Sequence, residues 1–73
     1  MAGNKDTELV EKVVAKIKKI REQRGISQSQ FLSDTGIHIA RIESEHRDIS
    51  ITTLSRICNY FGVTMQDFLK GIG

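Results

Sequence analysis

Apolar residues near the start of the chain recur with the period of an α-helix. Between residues 6 and 24 they lie three or four positions apart, at Leu9, Val10, Val13, Val14, Ile17 and Ile20. This spacing predicts one helix with a single apolar stripe, and Gly25 is a natural end for it. The stripe is as wide as a helix packed on a core needs, so we do not interpret it as a membrane-binding face.

Two shorter helices are predicted next. Ser27 can cap a helix over about residues 27–33, because a serine side chain accepts a hydrogen bond from a free N–H of the first turn. A third helix is expected over about residues 35–45, with Ile39 and Ile42 as its core contacts. A tight turn at about residues 34–36 separates the two.

The last third of the chain predicts two more helices. Ser50 can cap the fourth, Gly62 can end it, and its apolar stripe contains Ile51, Leu54, Ile57, Cys58 and Phe61. Thr64 with Asp67 three residues later resembles a capping box for a fifth, short helix. No segment alternates apolar and polar residues over the length of a strand. The sequence therefore predicts an all-α fold, a bundle of five helices.

The length of 73 residues allows one small domain, 1–73, which would bury only about 60% of its unfolded surface. Cys58 is the only cysteine, so no disulfide within the chain can add stability, and we expect it to be a small buried residue. Oligomerisation is the remaining source of additional stability. No apolar run approaches the ~18–20 residues that span a bilayer, and we expect a cytoplasmic protein without a membrane partner.

Charge is unevenly distributed along the chain. Residues 1–24 carry a net charge of +3, whereas residues 25–73 carry −1. A polyanion could bind the basic end of the first helix, but a lysine-rich helix face is usually just solvated. Charge alone therefore does not identify a partner.

Residue patterns for catalysis and metal binding are missing from the sequence. The two histidines, His38 and His46, and Cys58 do not have the spacing of metal ligands. No nucleophile stands in a pattern that supplies it with a base, and no glycine-rich phosphate loop follows a strand. We expect no enzyme activity, no cofactor and no metal.

Two short helices joined by a tight turn inside a small helical domain suggest a helix-turn-helix. The sequence then resembles a known family, the phage-repressor and Cro-like (XRE-type) DNA-binding domains. The matching segments are residues 20–28 (IREQRGISQ), 41–43 (RIE), 50–54 (SITTL) and 61–68 (FGVTMQDF). The resemblance covers about residues 16–70, so residues 1–15 form an N-terminal extension of helix one. It implies a lambda repressor-like fold with a central helix-turn-helix.

The resemblance also implies roles for residues at the start of the motif. The family's second helix lies across the DNA backbone, and Gln28 stands where its members touch a phosphate. A helix N-terminus with free N–H groups suits phosphate, which favours Ser27 and Gln28 on physical grounds too. The alternative is that Ser27 only caps the helix and Gln28 is only solvated. Arg21 and Glu43 match a structural ion pair of the family, and Arg21 could also reach a phosphate.

The recognition helix departs from the family pattern, because the chain between Ser27 and Glu43 is three residues shorter than usual. In one alignment Thr35 caps helix three, and Gly36 and Ile37 form its first turn. In the other, Gly36 is the usual turn glycine and the start of helix three is shortened. We favour the first, since threonine is a good N-cap and glycine is tolerable in a first turn. The groove-facing positions are then Thr35, Gly36, Ile37, His38 and Arg41.

These positions differ in what they can contribute. Arg41 suits bidentate hydrogen bonding to guanine, a contact worth about 1–3 kcal/mol of discrimination. Thr35 suits a phosphate or a base edge, while Ile37 either touches a thymine methyl or is buried. His38 either donates to DNA or stays in solvent. After the helix, Arg47 is the expected backbone contact, and Gly36 allows close approach.

We therefore predict a sequence-specific double-stranded DNA-binding regulator, a repressor that acts as a homodimer, with no evident small-molecule ligand. The excess positive charge lies in helix one, so we expect few phosphate contacts and a modest dependence of binding on salt. An antitoxin or restriction-system controller is an alternative of the same fold. A protein-interaction module without DNA is the alternative of another class.

Overall fold

The computed structural model describes residues 5–45 and 48–72, with side chains from residue 7 onward. All five predicted helices are present, and the described residues contain no strand. Their bounds are α1 Lys5–Gln23, α2 Gln28–Thr35, α3 Ile39–Glu45, α4 Ile51–Phe61 and α5 Met65–Leu69. The all-α prediction is therefore confirmed. No helix among these residues is long and apolar enough to cross a membrane.

The apolar stripe of α1 faces the other helices over most of its length. Val13, Val14 and Ile17 are buried, with Ile17 fully enclosed. Toward the N-terminus the stripe becomes exposed, since Leu9 keeps 46% of its surface in solvent. The stripe is thus longer than the surface that covers it in the described part of the chain.

Local capping explains where three helices begin. Ser27, Ser50 and Thr64 each accept a hydrogen bond from a first-turn N–H, at 3.0 Å in every case. Gly62 ends α4 in the left-handed conformation, with φ 74°. Only glycine adopts this conformation without steric cost, so the residue that ends the helix is set by sequence.

The core joins side chains from all five helices in one cluster. Its fully enclosed residues include Phe31 from α2, Ile57 from α4 and Phe68 from α5. The Phe31 ring meets the Tyr60 ring edge-on, with 5.0 Å between their centroids. Cys58 is buried in this cluster, as the sequence predicted.

The connection from α2 to α3 differs from our preferred alignment. That alignment placed the start of helix three at Thr35, whereas α2 continues through Thr35 and α3 begins at Ile39. Gly36 follows α2 in the left-handed conformation, φ 76°, and donates its N–H to the carbonyl of Leu32 at 2.7 Å. The prediction of a Thr35 cap is therefore wrong, and the structure has the alternative alignment with a shortened third helix. A non-glycine residue in this conformation costs roughly 1–2 kcal/mol, which favours Gly36 as the turn residue.

Candidate nucleic-acid interface

The start of α2 presents polar groups to solvent. Ser27 caps the helix, and the side chains of Gln28, Ser29 and Gln30 are exposed. The first N–H groups of a helix have no partner within it and carry partial positive charge. This end of α2 is therefore suited to an anion.

A network of three side chains holds this end of α2 against α1 and α3. The Arg21 guanidinium donates Nε to Glu43 Oε2 at 3.0 Å and Nη2 to Glu43 Oε1 at 3.1 Å. The predicted pair is thus bidentate, and it is nearly enclosed, with 8% and 5% of the two side chains exposed. Gln28 Nε2 donates to the same Glu43 Oε1 at 2.9 Å, a link that sequence reasoning did not find.

The contacts of Arg21 in this network favour its charged form. The hydrogen bonds from Arg21 to Glu43 raise the pKa of the guanidinium above its ordinary value, against the opposing effect of burial. Arg21 Nη1 also donates to the carbonyl of Ile26 at 2.7 Å, in the segment that leads into α2. Arg21 is consequently occupied inside the protein, and the network orients Gln28.

The turn between α2 and α3 uses two of the predicted groove residues for internal contacts. The Thr35 hydroxyl donates to the Phe31 carbonyl at 2.8 Å and accepts from the Ile37 N–H at 3.1 Å. Ile37 is 7% exposed and belongs to the core. Of the two roles considered for Ile37, contact with a thymine methyl or burial, the structure shows burial. Ile37 and Ile39 can both face inward because the segment between them is not helical.

The exposed residues at the start of α3 are His38, Ala40 and Arg41, of which His38 and Arg41 are polar. The His38 carbonyl accepts the N–H groups of Arg41 and Ile42, at 3.2 and 3.4 Å, so His38 stands directly before the first turn. Arg41 Nε lies 3.9 Å from Glu45 Oε2, four residues along the same exposed face. Ile39 is fully buried and Ile42 half-buried, as predicted, and this orientation turns Arg41 outward.

Two hollows flank the start of α3. The α2–α3 hollow is lined by Gln28, Ser29, Leu32, His38, Ile39 and Ala40. The α3–α4 hollow lies between the turn, α3 and α4, and its polar side chains are His38, Arg41, Thr53 and Arg56. His38 borders both hollows. Arg56 was missed from the sequence, since its place beside α3 depends on how α4 packs.

Bases in α1 and directly after it are used within the protein. Lys16 donates to the Phe68 carbonyl at the end of α5 and lies 5.2 Å from the centre of the Phe68 ring. Arg24 Nη1 donates to the Phe61 carbonyl at the end of α4, at 2.6 Å. These cations stabilise helix ends, where carbonyl groups carry partial negative charge.

Two further predictions concern Arg47 and metal binding. His46 and Arg47 lie outside the described residues, so the predicted backbone contact by Arg47 stays a prediction. In the described part of the chain, no group of three or more His, Cys, Asp or Glu side chains is placed to hold a metal ion.

The five helices, with α2 and α3 joined by a glycine turn and sharing an exposed polar face, define a helix-turn-helix domain. A comparison with family profiles finds the helix-turn-helix family over residues 17–68, more than half of the chain. The chain therefore belongs to the helix-turn-helix family of the XRE type, a family of DNA-binding regulators rather than enzymes. The resemblance seen in the sequence is confirmed. Neither a curated protein nor a solved structure matches the chain significantly.

Proposed function

We propose that this protein is a sequence-specific repressor of transcription that binds double-stranded DNA in the cytoplasm, with α3 in the major groove. The observation that carries this proposal is the exposed surface that the start of α2 shares with the start of α3, where Gln28 and His38 line one hollow. Its exposed members are Ser27, Gln28, His38 and Arg41, together with the backbone of Gly36. Thr35 and Ile37 are not included, because their side chains serve the turn and the core.

Arg41 is the proposed base reader. Its side chain is 62% exposed, and its neighbour on α3 along the same face is Glu45. Guanine presents two acceptors, O6 and N7, in the major groove, and the planar guanidinium matches both. His38, at the edge of the same helix, is the proposed second contact.

Gln28 is the proposed phosphate contact, with Ser27 presenting the helix N-terminus beside it. A glutamine amide has two N–H donors, of which one is used toward Glu43. The second can point to a DNA phosphate while the network with Arg21 keeps the side chain in place. Phosphate contacts of this kind fix the position of the protein on DNA without reading sequence.

We also propose that the protein binds DNA as a homodimer through an apolar groove. The groove is lined by Leu9, Val10, Val13, Ile49, Ile51, Leu54, Met65 and Leu69. Three of its residues are exposed, Ile51 at 74%, Leu9 at 46% and Leu69 at 36%. Contiguous exposed apolar surface marks interaction sites. Ile49 and Ile51 follow closely after α3 in the sequence. We propose that a second copy docked at this groove brings its own recognition helix to the same DNA, as half-sites one turn apart require.

Selection from a genomic DNA pool tests the DNA-binding proposal. We expect one enriched motif, weaker discrimination at one base position for Arg41→Ala, and weaker binding to all sequences for Gln28→Ala. Lys19→Ala, which removes a solvent-facing charge from α1, is the control and should keep the same motif. Absence of any motif, with equal Kd for all sequences, would contradict sequence-specific binding. Uniform loss in both Arg41→Ala and Gln28→Ala would contradict the groove assignment.

Sedimentation equilibrium tests the dimer. The wild-type protein should show a concentration-dependent dimer, and Ile51→Ser should shift it to monomer without lowering stability, because Ile51 is mostly in solvent. Thr52→Ser, next to it and also exposed, is the control. A monomer at all concentrations, with or without operator DNA, would rule the dimer out. Association without any DNA binding would instead favour the protein-interaction module.

A further inference from the structure

The α3–α4 hollow combines basic groups from two helices. Arg41 comes from α3, Arg56 from α4, and His38 stands between α2 and α3. None of the described residues that line this hollow is acidic, and Glu45 lies 3.9 Å from Arg41 at its edge. Cations from separate helices that converge on one exposed depression favour an anionic ligand.

Arg56 is held at the edge of this hollow by a specific contact. Its Nη2 donates to the carbonyl of Thr35, the last residue of α2. A guanidinium has five N–H donors, so this bond orients the group and leaves others for a ligand. An anchored side chain loses less conformational entropy on binding than a mobile one does.

The carboxylate of Asp34 lines a neighbouring depression together with Arg56. Asp34 Oδ1 accepts from Gln30 Nε2 at 2.7 Å, and Oδ2 accepts from the Tyr60 hydroxyl. Both oxygens are thus engaged by neighbours other than Arg56. Arg56 itself lines both depressions, so its guanidinium also borders the α3–α4 hollow beside His38 and Arg41.

We propose that Arg56 binds a phosphate of the DNA backbone on the side of α3 opposite to Gln28. This inference rests on the proposed function. The α2–α3 hollow and the α3–α4 hollow lie on the two sides of the start of α3 and share His38. A helix in the major groove has a phosphate backbone on each side. Gln28 is placed for one backbone and Arg56 for the other.

The dependence of DNA affinity on salt tests this inference. Each phosphate contact contributes a slope of about −0.9 to a plot of log K against log salt concentration. Arg56→Gln should make the slope shallower by about 0.9 and weaken binding to all sequences alike. Arg56→Lys should keep the slope, because the charge remains. Lys18→Gln, which removes the same charge from an exposed position on α1, should leave the slope unchanged.

Methylphosphonate replacement of single phosphates, with the wild-type protein, gives a second measurement that needs no variant. We expect affinity to fall at phosphates on both strands beside the bases read by α3. Arg56→Lys should reproduce this pattern. Sensitivity on one strand only would overturn the inference, even if Arg56→Gln failed to fold.

The outcomes separate this inference from the proposed function. A wild-type protein without DNA binding would refute the proposed function itself. A wild-type protein that binds DNA, with Arg56→Gln and Lys18→Gln equal in slope, would refute only the role of Arg56. Calorimetric binding of inorganic phosphate that Arg56→Gln abolishes, without a change in the DNA slope, would show a site for a free anion and would also overturn the inference.

Discussion

Replacing Glu43 by alanine tests whether the buried ion pair joins α1, α2 and α3. Arg21 is 7% exposed, and its side chain bonds both oxygens of Glu43. Removing one partner of a buried pair costs about 3–5 kcal/mol, because the other charge is left without compensation. The network lies near the surface, so we expect the lower end, about 3 kcal/mol.

That cost is large for a chain of this size. At about 0.05–0.15 kcal/mol per residue, the total free energy of unfolding is roughly 4–11 kcal/mol. A loss of about 3 kcal/mol should lower Tm by about 12–24 °C, since small domains lose about 4–8 °C per kcal/mol. Glu43→Ala should also weaken DNA binding, because Gln28 loses the acceptor that orients it.

Glu45→Ala is the matched control. It removes the same group from the same helix, but Glu45 is 44% exposed and lies 3.9 Å from Arg41. An exposed pair of this kind contributes about 0–1 kcal/mol. Urea unfolding, followed by far-ultraviolet circular dichroism because the chain has no tryptophan, measures both variants. Equal stability of Glu43→Ala and Glu45→Ala would refute the reasoning.

A double-mutant cycle isolates the pair itself. If the cost of Glu43→Ala comes from leaving Arg21 unpaired, it should fall below about 1 kcal/mol in an Arg21→Met background. An undiminished cost in that background would show that the loss arises from the cavity and not from the charge.

Three further outcomes follow from individual contacts. The hydrogen bond to Asp34 raises the pKa of the Tyr60 phenol above its ordinary value of 10.0. The protonated phenol therefore stabilises the folded state, and this contribution to the free energy of unfolding is lost as the pH rises through the pKa of the folded protein. Phenolate absorbance reports only this group, since Tyr60 is the single tyrosine, and Asp34→Asn should lower its midpoint. Burial raises the pKa of the Cys58 thiol and shields it from solvent. A thiol reagent at neutral pH should therefore react many-fold faster with the chain unfolded in urea than with the folded protein. Equal reaction rates would contradict the burial of Cys58. Glu45→Gln removes a carboxylate beside Arg41 and should tighten DNA binding by up to about fivefold, as an exposed pair contributes about 0.2–1 kcal/mol. Fluorescence anisotropy at fixed salt measures this change, and weaker binding would argue against Arg41 as a DNA contact.

The helices were predictable because their signals are local. Ser50 and Thr64 accept the hydrogen bonds expected of N-cap residues, and α4 ends at Gly62, as predicted from the sequence. The buried face of α4 follows from periodicity, with Leu54 and Ile57 enclosed. Such features depend on residues within one turn of each other.

The register of the turn was not predictable from these signals, because two adjacent residues fit opposite roles. Thr35 suits an N-cap of α3 and Gly36 suits an end of α2, and only packing decides between them. The burial of Ile37 together with Ile39 requires a non-helical segment at this point, which delays α3. Their spacing of two in the sequence was the available signal.

The side chains that complete the candidate interface could be found only in three dimensions. Gln28 meets Glu43 across 15 residues of sequence, and Arg56 meets Thr35 across 21. No periodicity or residue spacing in the sequence indicates that the two members of either pair are in contact. The resemblance predicted the Arg21–Glu43 pair because the family carries it, but not the contacts particular to this chain.

In the proposed DNA complex, the shortness of α3 limits how many base pairs the protein can recognise. Its seven residues extend about 10 Å at 1.5 Å per residue, which matches about three base pairs at 3.4 Å each. In the proposed homodimer, a symmetric pair of such helices would specify about six base pairs, a sequence that random DNA contains about once in four thousand positions. Selectivity beyond that level has to come from the bendability of the DNA between half-sites or from several sites close together. We expect natural targets to be clusters of short repeats rather than one long operator.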